Sequence, residues 1–510
     1  MSQKCRLIAH MIHSCESLVL VTQMNDCNAQ CKSVRINSQS ILRIPKTSVQ
    51  MIIKSARNGR VFISSGLIAA AALISPTQAQ VINEEVKHIA DDGSDFDFFG
   101  SSVSIENGII AVGAEGDDEN GLGSGSVYLL NATTGERVHK LLAPDGDAGD
   151  SFGKHIAMDD GIIAVSALWD DVKGTQTGSV YLFDSQTGSF ITKLTPNDVS
   201  TEHRFGDSVA IDDGIVVVGA SFAATDVSDR AGAVYLFDVA TGSQITKLFA
   251  SDGEVYDSFG QSVDIDDGLI VVGAHFDDDN GNGSGSVYLF NASTHEQITK
   301  LHPDDPAVND RFGYSVAIDD GTIVISAHLA DIYGERSGSA YLFDASTAIQ
   351  TTKLVPIDGA PYDDFGRRVS INNGIVAAVS LFDDDNAMNS GSAYLFDAVS
   401  GAQIAKLLAS DGDFNDEFGA SIAIGNGTVV IGTGHDDDNG RESGSIYVFE
   451  SNSVTCVADL TSDGVLNFFD ISVFLTLYQA GSPGADFNAD GSLNFFDVSE
   501  FLTAFVAGCP

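Results

Sequence analysis

The sequence from Phe259 to Leu301 reads FGQSVDIDDGLIVVGAHFDDDNGNGSGSVYLFNASTHEQITKL, and this stretch decides the fold. It contains four short segments rich in β-branched and aromatic residues, and these segments are separated by turns. The first turn, Asp267-Gly268, is a dipeptide that accepts the positive φ of a two-residue hairpin. The stretch therefore predicts four consecutive antiparallel strands.

The same pattern occurs seven times along the chain. Its first dipeptide, Phe-Gly, recurs at intervals of 53 or 54 residues, and every copy has Asn-Gly or Asp-Gly at the first turn. Seven four-stranded units of this length predict an all-β fold, a seven-bladed β-propeller over residues 80–452, because ring closure protects the strand edges. The seven pairs begin at Phe99, Phe152, Phe205, Phe259, Phe312, Phe365 and Phe418.

The two ends of the repeat array complement each other. The seventh copy stops after its third strand, at Phe449, whereas an isolated fourth-strand segment, residues 86–89, precedes the first copy. We therefore expect the N-terminal segment to complete the last blade, so that strand pairing closes the ring without a covalent bond.

These copies resemble the FG-GAP repeat of the integrin α-chain propeller and its bacterial relatives. The resemblance rests on Phe-Gly and on the Val-Gly-Ala that follows the second strand in copies one, three and four, and it covers about residues 85–450. Integrin-type repeats hold calcium between Phe-Gly and Gly-Ala. In this sequence a tight turn, too short to wrap a cation, takes that place, so the integrin calcium sites are not expected here.

Acidic residues are concentrated instead in the loop after the second strand and in the connection between blades. Antiparallel pairing places both loops on one face of the propeller. Carboxylates and an Asn oxygen followed by glycine suit calcium, whereas the alternative is a solvated surface that keeps the protein soluble. Blades two, three and five lack the acidic run. The candidate cation loops contain Asp277, Asp278, Asp279, Asp383, Asp384, Asp385, Asp436, Asp437 and Asp438.

Composition excludes several classes of protein. The 510 residues include 71 Asp or Glu and 26 Lys or Arg, a net charge of −45, yet 43% are hydrophobic. An acidic disordered chain has too few apolar residues to bury a core, so disorder is excluded for most of this one. The negative charge repels phosphates, which argues against nucleic acid as a partner and against binding to anionic membrane surfaces.

An export signal precedes the repeats. Residues 54–60 are basic, residues 61–74 form a 14-residue apolar run, and small residues follow up to Ala79. This order is typical of a secretory signal peptide, which predicts a secreted protein with no direct membrane insertion. We interpret residues 51–79 as the signal and residues 1–50 as an over-extended start. Without residues 1–79 the net charge is −52, from 17 cationic and 69 anionic residues.

Two 12-residue loops, residues 459–470 and 486–497, follow the repeats. In each, oxygen-bearing side chains stand at positions 1, 3, 5, 9 and 12, glycine stands at position 6, and position 7 offers its carbonyl. This is EF-hand calcium spacing, and an apolar helical pattern follows each loop. We predict two calcium ions, held by Asp459, Thr461, Asp463, Val465, Asn467 and Asp470 and by Asp486, Asn488, Asp490, Ser492, Asn494 and Asp497.

Residues 454–510 resemble a dockerin, because the loops are duplicated, each has one helix, and position 12 is Asp. The resemblance implies a small α-helical module and a cohesin-like scaffold protein as its partner. The family's partner-reading positions are here Phe468, Phe469, Phe495 and Phe496, which form either a docking surface or the module's core. Cys456 and Cys509 are the two cysteines left after the signal, and we expect a disulfide between them.

These features predict a secreted non-catalytic binding or adhesion protein, associated with the cell surface. Its propeller recognises an unknown extracellular protein or glycan. The alternatives are an extracellular polysaccharide-degrading enzyme, either a lyase or a glycoside hydrolase, and a structural adhesin. No constellation that breaks the repeat is apparent, which argues against a grafted active site. His275 and His328 share a repeat position and His435 lies one place later; the three are either ligand contacts or surface variation. Trp169, near the start of the blade-two loop, either stacks on a sugar or packs between blades.

Overall fold

The computed structural model describes residues 80–172, 174–198, 203–224, 230–450, 460, 468–480, 482, 485, 487, 493–494, 497–499, 501–502 and 505. The predicted start and signal peptide therefore lie outside the described residues. In the described part of the chain, no helix is long and apolar enough to cross a membrane.

The described strands form seven sheets, each with four antiparallel strands, which are the blades predicted from the sequence. Two strands, β1 (Gln80–Asn83) and β2 (Val86–His88), precede the first Phe-Gly. Blades 1 to 3 comprise β3 (Phe99–Glu106), β4 (Ile109–Ala114), β5 (Ser126–Asn131) and β6 (Arg137–Leu141); β7 (Phe152–Asp159), β8 (Ile162–Ala167), β9 (Ser179–Asp184) and β10 (Phe190–Leu194); and β11 (Ser208–Asp212), β12 (Ile215–Ala220), β13 (Ala233–Asp238) and β14 (Ser243–Leu248).

Blades 4 to 7 repeat the same order, with the fourth strand of blade 7 supplied from elsewhere. They comprise β15 (Ser262–Asp266), β16 (Leu269–Ala274), β17 (Ser286–Asn291) and β18 (Gln297–Leu301); β19 (Val316–Asp319), β20 (Thr322–Ala327), β21 (Ser339–Asp344) and β22 (Ile349–Leu354); β23 (Phe365–Asn372), β24 (Ile375–Ser380), β25 (Ser392–Asp397) and β26 (Gln403–Leu408); and β27 (Ser421–Gly425), β28 (Thr428–Thr433) and β29 (Ser445–Glu450).

The core lies between neighbouring blades. In blade 4, Phe259, Val272 and Tyr288 are buried against Val217 and Leu236 of blade 3, and corresponding clusters recur around the ring. The ring of Phe259 meets that of Tyr288 edge-on, with 5.4 Å between centroids. Because both faces of each blade are covered, the third strands are buried almost end to end rather than on alternate residues.

The Phe-Gly pairs join each blade to the preceding one. The N–H of Phe312 donates to the carbonyl oxygen of Ser284 at 2.9 Å. Gly285, at φ +83°, lies beside this contact, and a Cβ atom there would overlap the carbonyl oxygen of Phe312. Glycine is therefore required where the next blade's phenylalanine passes the start of the third strand.

Ring closure occurs as the sequence predicted. Strand β2 pairs antiparallel with β29, so the N-terminal segment becomes the fourth strand of blade 7. Strand β1 was not predicted. It pairs parallel with β26 and adds a fifth strand to blade 6. At four residues it is too short to show a periodic pattern in the sequence.

The described part of the C-terminal segment contains one long helix, α1 (Phe468–Ala480). Phe474 in α1 stacks on Phe501 with 4.0 Å between ring centroids, and the two residues hold equivalent places after the two loops. Both are buried, with Ala485, in a small apolar cluster. Cys456 and Cys509 lie outside the described residues, so the predicted disulfide stays a prediction.

Candidate functional site

The first strands of the seven blades surround a central channel, which contains a cavity of about 200 Å³. The second residue after Phe-Gly faces this cavity in every blade. Five blades have serine there, namely Ser102, Ser208, Ser262, Ser315 and Ser421. The channel wall is therefore built mainly from one small polar residue, repeated around the ring.

In four blades the serine ties two neighbouring blades together. The hydroxyl of Ser102 donates to the carbonyl oxygen of Gly153 at 2.6 Å, and Ser208, Ser262 and Ser421 make the same bond to the next blade. A Cβ atom on Gly113 of the adjacent strand would overlap both the Ser102 hydroxyl and the Gly153 oxygen. These four serines are therefore structural, because each hydroxyl already donates its hydrogen to a backbone carbonyl of the next blade.

Two blades break the serine pattern at the channel. His155 takes this position in blade 2 and Arg368 takes it in blade 6, and both line the cavity. Tyr314 of blade 5 lines the cavity beside them. The expectation that no grafted active site breaks the repeat stays untested, although these residues do depart from the repeat at the channel. An alignment of the seven Phe-Gly strands would have found His155 and Arg368. Each is a large side chain at a position where the other five blades have serine.

Tyr314 is held between two histidines. Its ring centroid lies 4.1 Å from that of His328 and 5.3 Å from that of His275. Both histidines are buried, at 5% exposure or less, and the Nδ1 atom of each has no hydrogen-bond partner in the protein. Burial and nearby arginines lower the pKa of His275 to about 3 and also lower that of His328, so both rings are neutral near pH 7.

Arginines surround this aromatic group. The guanidinium of Arg367 lies 4.9 Å from the centroid of the Tyr314 ring, and that of Arg368 lies 5.8 Å away. Burial alone would raise the pKa of Tyr314, but the charges of Arg368 and Arg367 outweigh it and lower that pKa. The buried Asp364 carboxylate pairs with Arg336 at 2.9 Å and with Arg367 at 3.7 Å. Among the described residues, Arg368 forms no ion pair with a carboxylate.

The opposite end of the channel is acidic. The inner strands of blades 1 to 5 all end in a carboxylate, and burial together with neighbouring carboxylates raises the pKa of each. The channel therefore has a cationic mouth, beside the Phe-Gly pairs, and an anionic exit. The residues at the exit are Glu106, Asp159, Asp212, Asp266 and Asp319.

The candidate cation loops contain a cation of the protein's own. In blade 4 the ammonium of Lys300 lies 3.0 Å from Asp252, 2.8 Å from Asp277 and 2.6 Å from Asp279. The hydroxyl of Tyr288 donates to Asp252 and Asp277. Although burial alone would lower the pKa of Lys300, its carboxylate partners raise it.

A lysine stands at this position of the fourth strand in all seven blades. The loop after the second strand and the connection between blades meet around this lysine. This agrees with the prediction that both loops lie on one face of the propeller. The pairs are Lys140 with Asp92, Asp117 and Glu119; Lys193 with Asp145 and Asp170; Lys247 with Asp198; Lys300 with the residues above; Lys353 with Asp305; Lys406 with Asp358, Asp383 and Asp385; and Lys87 with Asp411, Asp436 and Asp438.

The middle carboxylates of these loops accept backbone N–H groups. Asp278 accepts from Gly283, Asp384 accepts from Asn389 at 2.8 Å, and Asp437 accepts from Glu442 at 2.6 Å. No group of three or more His, Cys, Asp or Glu in the described part of the chain is arranged to hold a metal ion. Calcium in these loops stays a prediction, and an ion there would have to displace the lysine.

The remaining predicted residues are not all brought together. The Nδ1 of His435 donates a hydrogen bond to the Glu417 carboxylate at 3.1 Å, and the Arg204 guanidinium lies 5.3 Å from the centroid of the Trp169 ring. Of the predicted calcium ligands in the tail, Asp470, Asn494 and Asp497 are described, and both aspartates are fully buried. The other nine, and the side chains of Phe468, Phe469, Phe495 and Phe496, lie outside the described residues.

Comparison with known proteins agrees with the repeat count. A family model described as the FG-GAP repeat matches seven segments, each containing one Phe-Gly pair, and together they cover about two thirds of the chain. No curated protein matches the chain. The matched segments are residues 82–130, 136–183, 189–237, 243–290, 295–343, 349–396 and 402–449.

Proposed function

Because the chain belongs to the FG-GAP repeat family, we propose that it is a secreted, non-catalytic binding or adhesion protein. Its propeller recognises an extracellular ligand, and its C-terminal segment tethers it to a cohesin-like scaffold at the cell surface. One observation carries the proposal. The cationic mouth of the channel is where large side chains replace the repeated serine, and a closed propeller needs no such replacement for its own packing.

The proposed tether depends on calcium. Two ions would be held by the oxygen-bearing positions of the loops at residues 459–470 and 486–497, which offer the hard ligands that calcium prefers. The described members of this set support the assignment, because Asp470 and Asp497 are buried carboxylates at equivalent positions. Phe468, Phe469, Phe495 and Phe496 would present the docking surface, and a Cys456–Cys509 disulfide would hold the two ends of the module together.

The second candidate is an enzyme that degrades extracellular polysaccharides. A specific observation favours it, since a tyrosine whose pKa is lowered by two arginines, placed beside neutral histidines, is a set of groups that can also move protons. Binding remains the better supported function. The same arginines and histidines are the groups that recognition of an anionic ligand requires, and the fold is that of a binding module.

A pull-down tests the tether. The full secreted chain, immobilised, is exposed to native cell-surface extract with calcium or with chelator. We expect a scaffold protein to be captured only with calcium, and the double variant Asp463→Ala, Asp490→Ala to lose it. The matched control, Asp278→Ala with Asp384→Ala in the propeller loops, should capture normally. Equal capture with chelator would refute calcium-dependent docking.

A further inference from the structure

The mouth of the channel in blades 4 to 6 differs in charge from the rest of the molecule. The buried Asp364 carboxylate pairs with two guanidinium groups, those of Arg336 and Arg367, and the guanidinium of Arg368 lies 5.8 Å from the centroid of the Tyr314 ring. The carboxylate of Asp207 also lines the cavity, where the Ser221 hydroxyl donates to it. Because no described carboxylate pairs with Arg368, its guanidinium attracts an anion that approaches this mouth.

Arg368 is the most available of the three. It lines the cavity, its Nη1 donates to the backbone oxygen of Arg367 at 3.1 Å, and no described carboxylate pairs with it. A guanidinium has five N–H donors in a planar fork, which leaves donors for a second partner. The fork matches two oxygens of one carboxylate or sulfate, and this pairing is stronger than a hydrogen bond between neutral groups.

Two buried histidines hold the Tyr314 ring beside this arginine. The ring centroid of Tyr314 lies 4.1 Å from that of His328 and 5.3 Å from that of His275, and both histidines are neutral near pH 7 because burial lowers their pKa. Neither histidine lines the cavity, so both act on it through Tyr314, which does.

Aromatic rings extend this surface outward. Phe276 is 41% exposed, its ring centroid lies 4.2 Å from that of His275, and the Arg311 guanidinium lies 4.0 Å from the same centroid. The exposed rings offer flat apolar area to the face of a sugar ring. The cavity, about 200 Å³, is smaller than the roughly 300–1,000 Å³ of sites for drug-sized ligands, so it fits one end group of a longer molecule.

We propose that the channel mouth lined by Tyr314 and Arg368 binds an oxyanion, a carboxylate or a sulfate, carried on an extracellular saccharide. Arg368 binds the oxyanion, Tyr314 supports the ring, and His275 and His328 hold the Tyr314 ring in place. The inference rests on the proposed function, because it names the ligand chemistry of the same propeller. A saccharide is favoured over an acidic peptide because the exposed Phe276 ring beside His275 offers flat apolar area to the face of a sugar.

Binding of the full chain to immobilised oligosaccharides tests this proposal. The probes are oligogalacturonate, its methyl ester, a sulfated galactan, a neutral galactan and polyglutamate. We expect one of the two anionic saccharides to bind at least about 10-fold more tightly than its neutral counterpart, as a charge-assisted pair predicts. Which of the two binds distinguishes carboxylate from sulfate. Equal binding of the acid and its ester, with no preference for the sulfated galactan, would overturn the proposal.

Variants locate the site. Arg368→Ser installs the residue that five other blades have, and we expect it to reduce binding to the level of the neutral probe. Arg441→Ser, which removes an arginine elsewhere on the same face with a side chain 68% exposed, should bind as wild type. Arg368→Lys keeps the charge without the fork and should bind at an intermediate level, which keeps the test valid should the serine variant misfold.

The outcomes separate this inference from the proposed function. Unchanged binding by Arg368→Ser, or tighter binding of polyglutamate than of any saccharide, would overturn the inference while a binding function stands. Absence of binding to both anionic saccharides would also overturn it. Capture of a protein or a neutral glycan by the propeller would then still support the proposed function, whereas turnover of a probe would contradict that function instead.

Discussion

The ammonium nitrogen of Lys87 lies 2.7 Å from Oδ2 of Asp436, which stands 349 residues further along the chain. The same ammonium lies 2.9 Å from Asp411 and 2.6 Å from Asp438. In every other blade the equivalent lysine comes from that blade's own fourth strand. In blade 7 it comes from the N-terminal strand β2, so the ion cluster joins the two ends of the propeller as well as its loops.

Removal of this lysine should weaken ring closure. We expect Lys87→Met to lower the free energy of unfolding by about 3 kcal/mol, because it leaves the buried Asp436 carboxylate without its cation. Thermal denaturation measures the loss. The matched control is Lys247→Met in blade 3, where Ala223 replaces the buried aspartate and Asp198, the carboxylate that pairs with Lys247 among the described residues, is half-exposed; its cost should be about 1 kcal/mol or less. Equal losses would contradict a closing role for Lys87.

The glycine beside the channel serine should tolerate no side chain. We expect Gly273→Ala to destabilise the protein by about 3 kcal/mol, because its Cβ would overlap the Gly313 oxygen and the Ser262 hydroxyl that tie blades 4 and 5 together. Chemical denaturation measures the loss. Gly253→Ala is the matched control, since its Cβ would make ordinary contacts at 3.4 Å or more. A mild effect at Gly273 would show that this strand contact can relax.

Stability should depend on pH through the buried aspartates of the blade connections. Burial raises the pKa of Asp257 to about 6 from 3.8. The folded state therefore holds a proton that the unfolded state releases, so this group's contribution is present below about pH 4 and is lost as the pH rises to about 6. We expect Asp257→Asn to raise the free energy of unfolding at pH 8 by about 1–2 kcal/mol and to leave it unchanged below pH 4.

The neighbouring Asp252 provides the opposite control. Burial alone would raise the pKa of Asp252, but hydrogen bonds from Lys300 and Tyr288 lower it, so its contribution is present above about pH 4 and is lost on acidification. Asp252→Asn should therefore destabilise the protein at pH 8. Denaturation of both variants across this pH range checks the two signs, and a shift of the same sign in both would contradict the assignment.

The C-terminal loops should gain order from calcium. In the full chain we expect calcium to protect residues 454–510 from proteolysis, and the Asp463→Ala, Asp490→Ala double variant to lose that protection, because each substitution removes a ligand of one loop. Mass spectrometry of the cleavage products measures it. Protection that persists in the double variant, or in chelator, would contradict the predicted calcium loops.

The sequence predicted the propeller because its signal is repeated seven times. A 53-residue period with Asn-Gly or Asp-Gly turns leaves few alternatives, and the three strands at one end with the single strand at the other even predicted the pairing of β2 with β29. The isolated strand β1 could not be predicted, since its four residue pairs depend on where β26 lies in space. Local pattern specifies strands, whereas a lone parallel pairing is specified by tertiary structure.

The candidate site was visible in the sequence only as an exception. Lys300 and its six equivalents occupy one position of the repeat. The acidic runs nevertheless suggested calcium, because the sequence alone does not show that this lysine lies among their carboxylates. Arg368 occupies a repeat position that is serine in five other blades. It becomes a candidate binding residue only because this position faces the channel, and the strand pattern alone does not predict which way the position faces. The repeat shows that His275 and His328 are equivalent. It does not predict that both contact Tyr314, because that residue lies in another part of the repeat.

The proposed propeller binds its ligand without transforming it. To test this, the full secreted chain is incubated with plant and marine polysaccharides, and binding is measured alongside new reducing or unsaturated chain ends. We expect saturable binding that Arg368→Ser weakens, with no new chain ends. New chain ends that form with the wild type and disappear with Tyr314→Phe would contradict it and identify an enzyme.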